Sequence, residues 1–207
     1  MNFIEFFCGY GVITEEFKKA GFNTWKTDIR KRLGVCEPNL KINILQLNLE
    51  VIPFKKVNVL WASIPCNIWS YAGGNFHWNK EGTPKTKKCI EHLEILKKTL
   101  ELIDEISPDF FFIENPRGRL RFYPFFVEWL NKHHAVTKTL TMSSYGFRAT
   151  KPTNIFTNAI DIQFKELDRF GRGAKSNFKM DNISVCQKQK TPQPLAEEIV
   201  KYVRGKL

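Results

Sequence analysis

Short runs of apolar or alternating residues recur along the chain, each bounded by polar or turn-forming residues. Runs of this length predict strands, because helices of globular proteins usually need about ten residues or more. We place the strands at Asn2–Phe7, Asn23–Asp28, Leu40–Leu45, Val57–Ser63, Asp109–Ile113, Ala135–Met142 and Thr153–Ala159.

Between these runs, apolar residues return every three or four positions in three segments, which is the spacing of one helix face. The clearest segment runs from about Thr86 to Ile106, and the others are roughly Ile13–Ala20 and Leu195–Val203. Strands that alternate with helices predict an α/β fold with a mostly parallel sheet flanked by helices. A length of 207 residues suits a single domain, 1–207.

Polar signatures stand at the ends of four predicted strands. In open α/β sheets the carboxyl ends of the strands form the edge where ligands bind. A glycine turn, carboxylates and a cysteine at this edge predict a cofactor cradle, an acid and a nucleophile. The signatures are Gly9-Tyr10-Gly11, Asp28, Pro65-Cys66 and Glu114-Asn115.

Each signature also has a purely structural reading. Cys66 could be a small buried hydrophobe, which is the usual fate of a free cysteine. Glu114 could be a structural acid bonded to Arg117, and Asp28 could pair with Arg30 or Lys31. Their shared position at strand ends favours the functional reading.

The chain is strongly basic, with a net charge of +11 and a pI near 9.5. Lysine and arginine neutralise phosphates, so this charge favours a nucleic-acid partner, although a charge that only aids solubility would look the same. Three arginines alternate directly after Glu114-Asn115, and further basic residues gather between 161 and 190. We predict phosphate contacts from Arg117, Arg119, Arg121, Arg169 and Arg172.

Residues 67–88 interleave aromatic side chains with lysines, a mixture that suits an unstacked base and its backbone. The alternative is a loop that its aromatic residues pack onto the core.

The five cysteines form no CxxC pair and are odd in number, which argues against a zinc site and a disulfide framework. Reduced thiols are typical of a cytosol, and no apolar run is long enough to span a membrane. We therefore expect a cytoplasmic protein that needs neither a metal nor a membrane.

Three of these segments, in this order, resemble the DNA (cytosine-5) methyltransferases, most closely the compact forms of phages and prophages. Residues 7–11 are similar to their glycine motif, Pro65-Cys66 matches their Pro-Cys nucleophile motif, and Glu114-Asn115 matches their Glu-Asn motif. The resemblance continues through residues 145–158 and 191–203. It leaves out about 159–190, which we interpret as a short inserted target-recognition element.

The resemblance implies an S-adenosylmethionine-dependent methyltransferase (Rossmann-like) fold whose seven-stranded sheet has one antiparallel strand. It implies that Cys66 attacks carbon 6 of a cytosine while Glu114 stabilises ring nitrogen 3, and that carbon 5 then takes the methyl group of S-adenosyl-L-methionine. A base buried in a duplex must first be flipped out. We therefore expect a monomer that binds double-stranded DNA with a flipped cytosine, in a bacterial host cytoplasm if a phage encodes it.

The resemblance also assigns roles to individual residues, with Asp28 in the place of the ribose-binding acid. Ser70 and Lys151 join the five arginines as expected nucleic-acid contacts. The expected catalytic residues are Cys66, Glu114, Asn115 and Arg148. The expected cofactor-binding residues are Phe7, Gly9, Tyr10, Gly11, Asp28, Ile29, Asn43 and Pro65.

The chain departs from the family pattern at three points. Ile64 stands where the family has a second proline, and Asn43 is the nearest match to its adenine-binding acid. Arg148 and Lys151 are the cations available where large members carry Gln-x-Arg-x-Arg. Two alternatives stay open: an RNA cytosine-5 methyltransferase, and a decayed methyltransferase that binds nucleic acid or a host protein.

Overall fold

The computed structural model describes residues 1–30, 36–71, 76–165 and 190–207. Its strands are β1 Asn2–Phe6, β2 Asn23–Asp28, β3 Leu40–Lys41, β4 Val59–Ser63, β5 Phe110–Pro116, β6 Val136–Thr141 and β7 Pro152–Thr157. The helices that flank them are α1 Val12–Lys19, α2 Lys87–Ile106, α3 Pro124–Lys132 and α4 Gln193–Arg204.

All seven strands join one sheet in the order β3-β2-β1-β4-β5-β7-β6. Neighbouring strands are parallel except around β7, which runs antiparallel to both β5 and β6. This confirms the mostly parallel, seven-stranded sheet with a single reversed strand. The strand order changes direction between β1 and β4, so their carboxyl ends flank the crevice where such sheets bind ligands.

Apolar side chains of the central strands alternate between the two faces of the sheet, as the period of a strand requires. In β4, Leu60 and Ala62 join one buried cluster, whereas Val59 and Trp61 join the other. Helices α2 and α3 contribute to the first cluster, and α1 and α4 contribute to the second. The molecule therefore has three layers, and both sheet faces are covered.

The predicted strands agree with the observed ones within a few residues at each end, with two informative differences. Strand β3 has only two residues instead of six, because Asn43 and Asn48 cap short 3-10 helices directly after it. Strand β5 continues through Pro116, so Glu114 and Asn115 lie within the strand rather than beyond its end.

Helix α3 was not predicted. Its sequence, PFFVEWLNK, is only nine residues long, although its buried residues Phe126, Trp129 and Leu130 do recur at helical spacing. Pro124 at its first position was a further signal, because proline is favoured there. Within the described ranges, no helix is both long and apolar enough to cross a membrane.

A buried carboxyl group joins β1 to α1. Oε2 of Glu5 accepts hydrogen bonds from the backbone N–H and the hydroxyl of Thr14, in the first turn of the helix. Glu5 is only 3% exposed, and this burial raises the pKa of its carboxyl group to about 8. The folded protein therefore holds a proton on Glu5 at pH values where the unfolded chain has lost it.

We expect the free energy of unfolding to fall as the pH rises from about 4.5 to about 8, with a slope of up to about 1.4 kcal/mol per pH unit from this group. The variant Glu5→Gln cannot ionise and should lose that part of the slope. Urea unfolding at several pH values measures it, with the exposed Glu128→Gln as control. Equal slopes for the wild type and Glu5→Gln would contradict the assignment.

Candidate active site

The turn between β1 and α1 forms one side of the candidate site. Its backbone is left-handed at Phe7, Gly9 and Gly11, with φ of 58°, 51° and 65°. Glycine adopts this conformation freely, whereas a phenylalanine there is uncommon. The N–H of Gly11 donates to the carbonyl oxygen of Cys8 at 2.6 Å, and α1 begins at the next residue. The predicted glycine motif is therefore a tight turn that leads directly into a helix.

Asp28, the last residue of β2, lies against this turn. Its Oδ2 accepts the N–H of Gly9 at 2.9 Å, and its Oδ1 accepts the N–H of Arg30 at 3.0 Å. The contact to Arg30 is thus made to the backbone, and Lys31 lies outside the described residues. Because each carboxylate oxygen can accept a second hydrogen bond, Asp28 fastens the turn and still has acceptor capacity for a ligand.

A cavity of about 570 Å³ opens beside the glycine turn. Tyr10 and Val12 line it on one side, and residues 191–194 at the start of α4 line it on another. Phe147 and Arg148 complete the wall from the segment after β6, and Arg148 is exposed. The structure therefore brings Arg148 to the same cavity as the glycine turn.

Two other residues, Ile29 and Asn43, are also predicted to bind the cofactor. Ile29 follows Asp28 and is 56% exposed. Asn43 uses its Oδ1 to accept the N–H of Leu45 at 3.1 Å, which caps a short 3-10 helix. Their part in binding a cofactor stays a prediction.

Cys66 lies in a sharp turn directly beyond β4. Its carbonyl oxygen accepts the N–H groups of Trp69 and Ser70 at 3.0 and 3.1 Å. Before it, the carbonyl of Pro65 lies 3.3 Å from Nδ1 of His92, a buried residue of α2. The turn is therefore held on both sides of the cysteine.

Asn115 joins this turn to β5. It is fully buried, and its Nδ2 donates to the carbonyl oxygen of Ile64 at 2.8 Å. Its Oδ1 is buried and has no hydrogen-bond partner among the described residues. An unpaired buried acceptor costs about 1–3 kcal/mol, so Asn115 is fixed at one end and open to a ligand at the other.

Glu114 and Lys151 form an ion pair at the same edge of the sheet. Nζ of Lys151 lies 3.6 Å from Oε1 of Glu114, and the two side chains are only 13% and 10% exposed. At this distance the pair is electrostatic, and Glu114 Oε1 has no hydrogen-bond partner among the described residues. Lys151 reaches the edge because it directly precedes β7, whose reversed direction brings its amino end beside the carboxyl end of β5.

The electrostatics of Cys66 depend on this pair. Burial raises the pKa of its thiol, and the negative charge of Glu114 raises it further. The positive charge of Lys151 acts in the opposite direction and lowers the pKa. The charges of both groups therefore act on the thiol, and in the resting protein the protonated thiol is favoured.

The segment after Cys66 is packed onto the core rather than extended into solvent. Trp69 and Trp78 are buried, and both rings contact Tyr123. Nε1 of Trp78 donates to the carbonyl oxygen of Ile68 at 2.9 Å. For these residues the alternative reading of the aromatic loop holds, while Tyr71 and Phe76 remain exposed.

Gly118 joins this segment to the loop after β5. Ser70 and Gly118 form an isolated bridge, and the N–H of Arg119 donates to the carbonyl oxygen of Trp69 at 2.8 Å. A Cβ atom at position 118 would lie 2.1 Å from that carbonyl oxygen, closer than atoms can approach. The two loops can therefore meet only at a residue that has no side chain.

The predicted phosphate contacts differ in exposure. Arg117 is exposed, whereas Arg119 and Arg121 are half-buried in a short 3-10 helix, Arg119–Phe122. The guanidinium group of Arg121 lies 4.4 Å from the ring centre of Phe122. Arg169 and Arg172 lie outside the described residues.

Sequence reasoning missed three features of this site. It assigned Lys151 to nucleic acid and named it as an available cation, but it did not predict the contact with Glu114, which depends on the register of β7 against β5. It gave no role to His92 or Gly118. His92 is one buried polar residue on an apolar helix face, a weak signal, and nothing in the local sequence distinguishes Gly118 from a turn glycine.

Metal ligands do not gather here. In the part of the chain that the structure describes, no group of three or more His, Cys, Asp or Glu residues could hold a metal ion.

Comparisons with known proteins agree with this geometry. A family model for the C-5 cytosine-specific DNA methylases matches residues 1–131, more than half of the chain. No curated protein sequence matches the chain. A DNA modification methyltransferase encoded within an E. coli prophage has a similar structure, with a TM-score of 0.54 and 15% identity over 85% of this chain and 52% of that one.

The methyltransferase EhMeth of Entamoeba histolytica is similar too, with a TM-score of 0.53 and 19% identity over 85% of this chain and 57% of its own. The chain therefore spans little more than half the length of these two structures. At such low identity, the likeness shows that the fold is shared.

We expect Gly118→Ala to destabilise the protein by about 1–3 kcal/mol, because the new methyl group must push the Trp69 carbonyl away. Denaturant unfolding measures the change. Gly205→Ala is the matched control, since its Cβ would meet nothing closer than 3.5 Å. If both variants unfold at the same denaturant concentration, the close approach at Gly118 is not a constraint.

Proposed function

The chain belongs to the C-5 cytosine-specific DNA methylase family, and on this premise we propose that it transfers a methyl group from S-adenosyl-L-methionine to carbon 5 of cytosine in DNA. The observation that carries the proposal is the cluster of Cys66, Glu114 and Lys151 at one edge of the sheet. A thiol beside a buried carboxylate and a buried ammonium group can provide both a nucleophile and an acid.

Cys66 has the role of the nucleophile. Its sulfur adds to carbon 6 of the ring, and the π electrons of the carbon 5–carbon 6 bond make carbon 5 electron-rich. An unreactive aromatic carbon thereby becomes able to accept a methyl group. When carbon 5 later loses its proton, the electrons left behind expel the sulfur and restore both the ring and the thiolate.

Glu114 and Asn115 have the role of holding the cytosine. Their Oε1 and Oδ1 atoms are buried acceptors that lack hydrogen-bond partners among the described residues. The Watson–Crick edge of cytosine supplies donors, namely its amino group and nitrogen 3 when that atom is protonated. Protonation at nitrogen 3 also assists the attack on carbon 6, so Glu114 would act on the reaction as well as on binding.

Lys151 has the role of compensating the charge of Glu114. An ionised carboxylate in a site this buried is unfavourable unless a positive charge lies nearby. The same lysine lowers the pKa of Cys66 and so favours the reactive thiolate. It thereby supplies a cation in the region where large members of the family carry arginines.

The residues around the glycine turn fit the cofactor. Asp28 keeps acceptor capacity for ribose hydroxyl groups, and Tyr10 lines a cavity of about 570 Å³ that has the size of a nucleoside-type ligand. The bound cofactor would supply an electrophilic methyl group on a sulfonium centre. The chain itself would bind and orient the nucleoside portion through this turn.

DNA is the proposed partner because the net charge is +11 and exposed arginine lies beside the site. Arg117, Arg119 and Arg121 follow directly after Glu114-Asn115 in the chain, so phosphates that flank a flipped cytosine would meet them. We propose that the five arginines act as phosphate contacts, two of them in the recognition element at about 159–190.

The direct test is incubation with radiolabelled S-adenosyl-L-methionine and either double-stranded DNA or RNA, followed by nucleoside analysis. We expect label in 5-methylcytosine from DNA. Label in RNA only would assign the activity to RNA cytosine. Label in neither would favour a decayed enzyme. Binding of DNA without methyl transfer would then show that the protein keeps only a nucleic-acid-binding activity.

We expect Cys66→Ser to reduce methyl transfer by about 10⁴-fold or more, since a serine hydroxyl is a far weaker nucleophile than a thiolate. Cofactor affinity and thermal stability should stay near those of the wild type. DNA that carries 5-fluorocytosine should trap a covalent adduct with the wild type, because fluorine cannot leave as a proton does. Near-normal turnover of the serine variant would remove Cys66 as the nucleophile.

We expect Lys151→Met to lower the rate of methyl transfer by about 10²-fold, because Glu114 loses its positive partner. Removing the lysine also raises the pKa of Cys66, so the remaining activity should require a higher pH. The pH profile of kcat/KM measures this shift. Lys56→Met is the control, since that lysine pairs with Asp109 at an exposed position. A pH profile of Lys151→Met that matches the wild type would refute this role.

A further inference from the structure

Two thiol groups that the proposed chemistry does not use lie in contact beside the glycine turn. Sγ of Cys8 and Sγ of Cys36 are 3.7 Å apart, although 28 residues separate them in the chain. Both cysteines are about 5% exposed. The sequence predicts reduced thiols without a disulfide framework and gives no reason to pair these two.

The thiol pair belongs to the structure of the glycine turn itself. The carbonyl oxygen of Cys8 accepts the N–H of Gly11, and the N–H of Cys8 donates to the carbonyl oxygen of Thr27 in β2. A Cβ atom on Gly11 would lie 2.8 Å from Sγ of Cys36 and 3.3 Å from Nζ of Lys26. The sulfur and the ammonium group therefore leave no room for a side chain at position 11.

The two thiols are not equivalent. The hydrogen bond with Cys8 lowers the pKa of Cys36, and the nearby ammonium group of Lys26 lowers it too, although burial opposes both. The same hydrogen bond raises the pKa of Cys8, and burial adds to that effect. Because the ammonium group of Lys26 lies beside Cys36, we assign Cys36 as the attacking sulfur and Cys8 as its partner. A pair of this kind has an attacking and a resolving member.

We propose that Cys8 and Cys36 are a peroxide-sensitive dithiol whose disulfide weakens cofactor binding. The thiolate of Cys36 attacks one oxygen of hydrogen peroxide, the O–O bond breaks, and the departing hydroxide takes up a proton to become water. The sulfur of Cys8 then attacks the sulfenic acid of Cys36. The S–S bond forms, and the sulfenic oxygen leaves as a second water molecule with the proton of Cys8. Two thiols and one peroxide thus give one disulfide and two water molecules.

The effect on the cofactor rests on the proposed function of the glycine turn. A disulfide needs a sulfur–sulfur distance of about 2.05 Å, so the sulfurs must approach by about 1.6 Å from their present separation. Cys8 precedes Gly9, whose N–H is bonded to Asp28, and it is itself bonded to Gly11. Contraction at Cys8 therefore moves the atoms proposed to hold the nucleoside. Because thiol reductants reverse the bond, the change is reversible.

The test treats the folded full chain with hydrogen peroxide and follows two independent readouts. Peptide mapping by mass spectrometry should find a Cys8–Cys36 cross-link, and calorimetry should find binding of S-adenosyl-L-methionine weakened by about ten-fold or more. Dithiothreitol should restore both. Calorimetry is preferred to an activity assay because oxidation of Cys66 would also abolish methyl transfer.

Matched variants separate this pair from the other thiols. Cys36→Ser should bind the cofactor when reduced and should not respond to peroxide, whereas Cys89→Ser, at another buried thiol, should respond like the wild type. If Cys36→Ser does not fold, reversal of the wild-type effect by dithiothreitol still decides the question.

Absence of the Cys8–Cys36 peptide after peroxide treatment would overturn the proposal, and so would a cross-linked protein with unchanged cofactor affinity. If the reduced protein does not bind the cofactor, the proposed function fails. Detection of the cross-linked peptide would still show, independently of cofactor binding, whether Cys8 and Cys36 form a disulfide.

Discussion

One buried hydrogen bond, from Nδ2 of Asn115 to the carbonyl oxygen of Ile64, holds the two halves of the site together. Parallel pairing already aligns β4 with β5 and sets Ser63 opposite Glu114. Beyond that point the strands have no further ladder, and the side chain of Asn115 continues it by one more bond. Because Ile64 stands two residues before Cys66, this bond fixes where the cysteine turn begins relative to Glu114. The bridge at Gly118 then secures the far side of the same turn.

This arrangement keeps several polar groups in a buried, incompletely satisfied state. Glu114 Oε1 and Asn115 Oδ1 are buried without hydrogen bonds among the described residues, and burial raises the pKa of Cys66. Each of the two unpaired acceptors opposes folding by a modest amount. The large apolar clusters on both sheet faces offset that cost, and Trp61, Phe112 and Ile113 are fully buried directly behind the site. A rigid apolar core thus supports an edge that is left ready for a polar ligand.

The sequence alone was sufficient to predict which functional residues follow the central strands, but not which distant side chains come into contact. Short apolar runs located β1, β4 and β5, and the residues that follow them come to one edge because parallel strands end on the same side. Contacts between distant segments could not be read this way. The pairing of Lys151 with Glu114 depends on the reversed direction of β7, and the contact of Cys8 with Cys36 depends on how the chain returns from β2 to β3. Both are set by tertiary packing, which has no local period in the sequence.

The reversed strand β7 also limits how the length of this chain can vary. It pairs with β5 and β6 through most of its length, with Asn154 opposite both Asn115 and Thr139. Adding or deleting one residue between Lys151 and Thr157 would displace the lysine by about 3.4 Å and turn the following side chains to the opposite face. The ladder of β7 ends at Thr157. The hairpin that carries the lysine must therefore keep its residue count if Lys151 is to reach Glu114.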